Sequence, residues 1–172
     1  MKQPYEIHSD FFKKMISSGW YKNRDIILES LPPHLEELPD EVKNFLREIW
    51  YLTVSYDAYY RSDACVFLST VLHSFGETTN KLSDYSLNDE DFIYYQKSVG
   101  RKLRNFGFAG DREVLIDDLG RIYFIPDSGD LYYLGGKFYE GLYNLIFRTG
   151  NSYIVEDDGE LFVESDQGVL PG

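Results

Sequence analysis

With 172 residues, 43% of them hydrophobic and 17% aromatic, the chain has room for one domain with a substantial core, and 27% charged residues with only 6 Pro exclude a wholly disordered region. A formal net charge of −12 and a pI near 4.6 argue against gripping phosphate backbones through Lys and Arg, so nucleic acid is a poor partner. Apolar runs such as Cys65 to Leu68 and Ile122 to Ile125 fall far short of the roughly 20 residues a membrane-spanning helix needs, the charged opening MKQPYEIHSD predicts no secretory leader, and the single cysteine, Cys65, fits a reducing cytoplasm.

In chain order, Ser9 to Ser18 sets Phe11 and Met15, and one step round Phe12 and Ile16, at helical spacing, with Gly19 just past the end. Trp20 to Ile27 has no clear period, and Pro32, Pro33 and Pro39 then break the chain, which predicts a loop or short strand. From Asp40 the residues Val42, Phe45, Leu46 and Ile49 recur at three and four, a second helix starting at Pro39 or Asp40. Trp50 to Tyr56 and Ala64 to Leu72 read as strands from their aromatic and β-branched content. Gly76 to Ser86 is polar. The acidic cluster Asn88 to Asp91 then sits where a helix N-terminus favours negative charge, predicting a third helix to about Val99 with Phe92, Ile93, Tyr95 and Val99 in the core.

Val114 and Ile116 precede Asp117-Asp118-Leu119-Gly120, and Ile122 and Phe124 follow it, so period two on both sides of a Gly-containing turn predicts a hairpin. Pro126 to Gly129 turns the chain into Leu131 to Leu134. A last helix follows Gly136 with Phe138, Leu142, Leu145 and Ile146 on one face and Gly150 as its terminator. Tyr153 to Val163 repeats the hairpin pattern around Asp157-Asp158-Gly159. These elements make an α+β fold, a single domain of mainly antiparallel sheet with helices packed mostly on one face.

Residues able to carry chemistry are sparse. His8, His34 and His73 are isolated and lack metal-ligand spacing; Cys65 lies in an apolar run without a basic neighbour; the Asp117-Asp118 and Asp157-Asp158 turns lack the alternating oxygens of a calcium loop. No metal, no cofactor and no enzymatic activity are expected, a spatial carboxylate pair for glycoside hydrolysis ranking last. What remains is 15 Tyr, 12 Phe and 2 Trp on an acidic chain, a composition that favours protein recognition over chemistry, although core packing accounts for most of the rings. The acidity is uneven: residues 150–172 hold Glu156, Asp157, Asp158, Glu160, Glu164 and Asp166 and no Lys or Arg.

The order of motifs resembles the third subfamily of the SUKH superfamily of bacterial immunity proteins. Gly19-Trp20 and Arg24-Asp25 resemble its Gly-Trp and Gly-Arg opening, the helix Asp40 to Ile49 its next element, Leu103 to Pro126 (LRNFGFAGDREVLIDDLGRIYFIP) its strand and Asp, Gly-Arg-x-Tyr hairpin, and Gly136 to Phe147 its closing helix. Two positions depart from it: Trp50-Tyr51 stand where the family has Gly-Gly, and Asn23 where the opening has Gly. The resemblance implies a SUKH-like immunity domain over residues 1–149, with 150–172 as an acidic hairpin extension packed on it. It implies a cytoplasmic antitoxin that neutralises a polymorphic toxin, often a nuclease, without catalysis. An intracellular adaptor of the cell-wall regulator type resembles the same superfamily and is the rival.

A cognate toxin with a basic surface is the expected partner, with no nucleic acid and no membrane. The candidate contact residues are Trp20, Arg24, Asp117, Asp118, Tyr123, Glu156, Asp157, Asp158 and Glu160. For Gly19, Trp20 and Tyr123 a fold role common to all members competes with a contact role. Trp20 in particular is expected to pack against the core and leave an edge beside Arg24.

Overall fold

The computed structural model of the protein describes residues 9–24, 31–61, 66–76, 90–126, 128–147, 152–162 and 167–170. Expectations placed on His8, Asp25 to Ile27, Ala64, Cys65, Glu77 to Ser86, Asn88, Asp89, Gly150, Val163, Glu164 and Asp166 lie outside the described residues. Among the described residues five helices, α1 (Ser9–Ser17), α2 (Pro33–Glu36), α3 (Asp40–Ile49), α4 (Glu90–Val99) and α5 (Phe138–Phe147), accompany nine strands. The strands are β1 (Thr53–Arg61), β2 (Val66–Phe75), β3 (Arg104–Ala109), β4 (Arg112–Ile116), β5 (Arg121–Phe124), β6 (Tyr132–Lys137), β7 (Tyr153–Val155), β8 (Glu160–Phe162) and β9 (Gln167–Val169). They pair in sequence order, every neighbour antiparallel, so the sheet is one long meander in an α+β domain. No helix among the described residues is long and apolar enough to cross a membrane.

Strand alternation divides the core in two. Val114, Ile116, Ile122 and Leu134 face one side of the sheet and meet α1, α3 and α5 through Phe11, Met15, Phe45, Leu46, Ile49, Leu142 and Ile146. The residues between them in sequence, Leu115, Tyr123 and Tyr133, face the other side and meet α4 through Phe92 and Val99. The helices thus lie mostly on one face, and α4 covers the other. Because side chains alternate with a period of two, slipping β4 against β5 by one residue would exchange these cores.

The helix ends follow from sequence. Pro39 closes the approach to α3, Asp40 and Glu41 sit in its first turn and Arg47 in its last, complementing the helix dipole. Buried Arg24 donates through Nη1 to the carbonyls of Glu48 (2.9 Å) and Trp50 (2.7 Å), satisfying acceptors that the helix terminus leaves open. In α1 the apolar stripe is narrower than its spacing predicts: Phe11, Phe12 and Met15 are buried, whereas Ile16 is 58% exposed. In α4, Ile93 likewise points outward while Phe92 and Val99 are buried.

Three boundaries differ from the sequence expectation. The strand read from Trp50 begins at Thr53, because α3 ends at Ile49 and the chain reverses through Tyr51 in the left-handed region (φ +59°), with Trp50 buried beneath it. The segment read as a loop or short strand contains the one-turn helix α2, with Pro33 in its first turn. Strand β3 carries Gly107 in its middle, where a side chain would strike the Ser74 carbonyl oxygen at 2.5 Å, so glycine is needed for strand packing and hides the strand from propensity.

Gly120 closes the β4–β5 turn at φ +76°, and a Cβ there would lie 2.3 Å from Cε1 of Phe138. Both the left-handed backbone and the aromatic neighbour therefore require glycine. Gly100 has a similar φ of +70° but open space around it. We expect Gly120→Ala to cost about 2–4 kcal/mol, strain and overpacking combined, and Gly100→Ala only about 1 kcal/mol; chemical denaturation of the two variants measures the difference.

Candidate functional site

The structure separates the nine predicted contact residues into three places. Trp20 and Arg24 lie in the seam of α1, α3 and α5. Trp20 is buried to 8% exposure, packs edge-on against Phe12 and Tyr139, and donates from Nε1 to the Tyr139 hydroxyl at 3.2 Å; that hydroxyl donates to the Glu48 carboxylate. Burial and the Glu48 carboxylate push the Tyr139 hydroxyl's pKa well up, which keeps it a donor. With Arg24 holding the end of α3, these side chains join helices and offer a partner little surface.

The second place is the β4–β5 hairpin, where Asp117 and Tyr123 are wholly buried. Here the expectation of contact residues gives way to a structural one. The Asp117 carboxylate accepts from the Leu119 amide (2.9 Å), the Arg121 amide (3.0 Å), Arg121 Nε (2.6 Å) and the Tyr123 hydroxyl (3.0 Å). Four donors around one carboxylate offset the desolvation of a charge that the interior would otherwise reject. Arg121 is itself buried, 3% exposed at its side chain, and its guanidinium lies 6.0 Å from the centre of the Tyr123 ring. Burial, reinforced by the Asp117 charge, raises the Tyr123 hydroxyl's pKa far above its ordinary value and keeps it protonated. Tyr123 continues into a ladder with Tyr133 (5.7 Å) and Tyr153 (6.3 Å), which ties β5 through β6 to β7. Asp118, one residue on, is exposed and takes both carboxylate oxygens to Arg101 Nη1 at 2.9 and 3.0 Å.

The third place is a cleft. Glu156, Asp157 and Glu160 stand on the β7–β8 hairpin, opposite Asp91, Tyr94 and Tyr95 of α4 and beside Asp130 in the β5–β6 connection, around a cavity of about 510 Å³. All five carboxylates are on exposed residues, and among the described residues no Lys or Arg lines the cleft. The side chain of Asp158 lies outside the described residues. Below the rim, Val155 and Leu161 pack with Phe92, Val99 and Leu131, so an apolar floor fixes the acidic rim in place.

Backbone bonds set the cleft's shape. Val155 N donates to Leu131 O (2.8 Å), Glu156 N to Glu160 O (2.8 Å) and Leu170 N to Gly159 O (3.1 Å), while the Tyr95 hydroxyl donates to the Gly129 carbonyl. Tyr94 is 48% exposed and presents an aromatic face at the mouth. Residues 153–162 are thus part of the main sheet, with Tyr133 opposite Tyr153 and Ile154 opposite Phe162. Among the described residues no group of three His, Cys, Asp or Glu side chains is placed to hold a metal ion.

Sequence reading finds the hairpin half of this cleft and misses Asp91, Tyr94, Tyr95 and Asp130. The signal available was the run of α4, EDFIYYQKSV, which carries Asp91, Tyr94 and Tyr95, with Tyr95 on the side of the buried Phe92 and Val99 and partly packed against them. Comparison with protein-family models, curated proteins and solved structures found no match to the chain.

The interior and exterior aspartates of one turn should behave oppositely. Asp117→Asn is expected to cost about 3–5 kcal/mol, because Arg121 is left buried without its counter-charge. Asp118→Asn should change stability by less than about 1 kcal/mol, as for an exposed ion pair. Urea midpoints of the two variants, compared at equal m-value, check both.

Proposed function

We propose that the protein is an immunity protein, an antitoxin that binds a polymorphic toxin and neutralises it by occupying a basic surface. The observation that carries this reading is the cleft between α4 and the β7–β8 hairpin, where five carboxylates and two tyrosines surround a concavity whose described lining residues include no Lys or Arg. Charges of one sign held over a low-dielectric floor concentrate the field, accelerate the approach of an oppositely charged protein and disfavour wrong partners. Tyr94 and Tyr95 add contact area at small entropic cost. The motif order that resembles the SUKH superfamily supplies the biological context: a cytoplasmic protein acting by binding, not by catalysis, on a toxin that in that group is often a nuclease.

Exposed carboxylates contribute little to folding, so their loss should affect association and spare stability. The test is coexpression with candidate toxins encoded beside its gene, followed by stopped-flow association of the purified chain with any toxin it neutralises. The unaltered chain should restore growth. A variant with Asp91→Asn, Asp130→Asn, Glu156→Gln, Asp157→Asn and Glu160→Gln should keep its melting temperature and associate at least about tenfold more slowly at low salt, the gap closing as ionic strength rises. If growth is restored and the association rate is unchanged in the variant, the cleft is a solvated face. Stable capture of a non-toxic cellular protein instead would favour the adaptor of the cell-wall regulator type.

A further inference from the structure

A second cavity, of about 590 Å³, opens beside α5 and shares no lining residue with the acidic cleft. Its walls are mostly apolar, with Ala109, Leu134 and Leu145 each below 9% exposure and Phe124 supplying an aromatic surface. Its volume falls in the range of about 300–1,000 Å³ typical of sites for small organic ligands. Among the described residues the charged ones that line it, Asp111 and Arg112, are of opposite sign and lie 3.4 Å apart.

Two buried polar side chains line the interior. Asn144 commits its Nδ2 to the Leu134 carbonyl at 2.7 Å. His73 is 1% exposed, and its Nδ1 lies 3.3 Å from the Val54 carbonyl oxygen. A carbonyl only accepts, so Nδ1 carries the proton and Nε2 of the neutral ring presents a lone pair. No group among the described residues engages Nε2. Burial lowers the ring's pKa to about 4, so the acceptor persists at neutral pH. His73 lines this mostly apolar cavity, and an acceptor on its ring favours a ligand able to donate to it over an apolar one.

We propose that this cavity binds a small, neutral, largely aromatic molecule bearing one hydroxyl, a simple phenol being the smallest member of the class, with the hydroxyl donating to His73 Nε2. The inference is independent of the toxin reading and stands on a different part of the sheet.

The test titrates the full chain at pH 7 with p-cresol and with toluene, which differ by the hydroxyl, using calorimetry and the ¹⁵N resonances of the His73 ring. p-Cresol should bind at 1:1 stoichiometry, at least about fivefold more tightly than toluene, and move the Nε2 resonance. His73→Phe should remove the preference and leave toluene binding in place. The ring resonance is read on the unaltered protein, so the outcome does not depend on that variant folding. Absence of saturable binding by p-cresol up to its solubility, or binding that leaves the His73 ring unperturbed, would overturn the assignment.

Discussion

The carboxylate of Asp117 is the interaction on which the arrangement of both cores depends. It accepts from the Leu119 amide of its own turn and from the Arg121 amide and two side chains of the next strand, so turn geometry and strand register are set by the same four bonds. Because Arg121 and Tyr123 reach it from alternate positions of β5, Ile122 between them is directed to the opposite face, into the core of α1, α3 and α5. A buried ion pair of this kind contributes little net stability relative to well-packed apolar residues, but removing one partner is costly, which makes the register hard to alter piecemeal.

The functional geometry follows outward from that turn. Asp118 holds Arg101 just beyond α4, while Tyr123 begins the aromatic ladder that reaches Tyr153 on β7. The helix and the hairpin that form the two walls of the acidic cleft are thus both referred to the β4–β5 turn. Phe92, Val99, Val155 and Leu161 complete the link by packing beneath the rim. An acidic segment whose backbone belongs to the sheet differs physically from a solvated tail, and this suits the proposed recognition of a basic surface.

Much of this was legible in the residues. The spacing of Val42, Phe45, Leu46 and Ile49 identifies α3, and alternation about Asp117 to Gly120 identifies the β4–β5 hairpin, because both patterns are local. Strand β3 was hidden by Gly107, whose absence of a side chain serves the close approach of Ser74 and lowers apparent strand propensity. The role of Asp117 was misread for a related reason: aspartate in a turn is equally compatible with solvent, and only the burial of Arg121 and Tyr123 on the same face reveals the interior pair. Half of the cleft was readable from the charge of the last 23 residues. The other half required the fold, since Asp91 and Glu160 are distant in sequence and meet only across the α4–hairpin gap.

Chemical-shift mapping of the complex with its protein partner addresses the docking reading most directly. Amide and side-chain resonances of the ¹⁵N-labelled chain should move around Tyr94, Tyr95, Asp130 and Glu160, with the buried Trp20 indole and the Asp117 turn left in place. Perturbations centred on α1, α3 and α5, with the α4 and β7–β8 resonances unmoved, would contradict it.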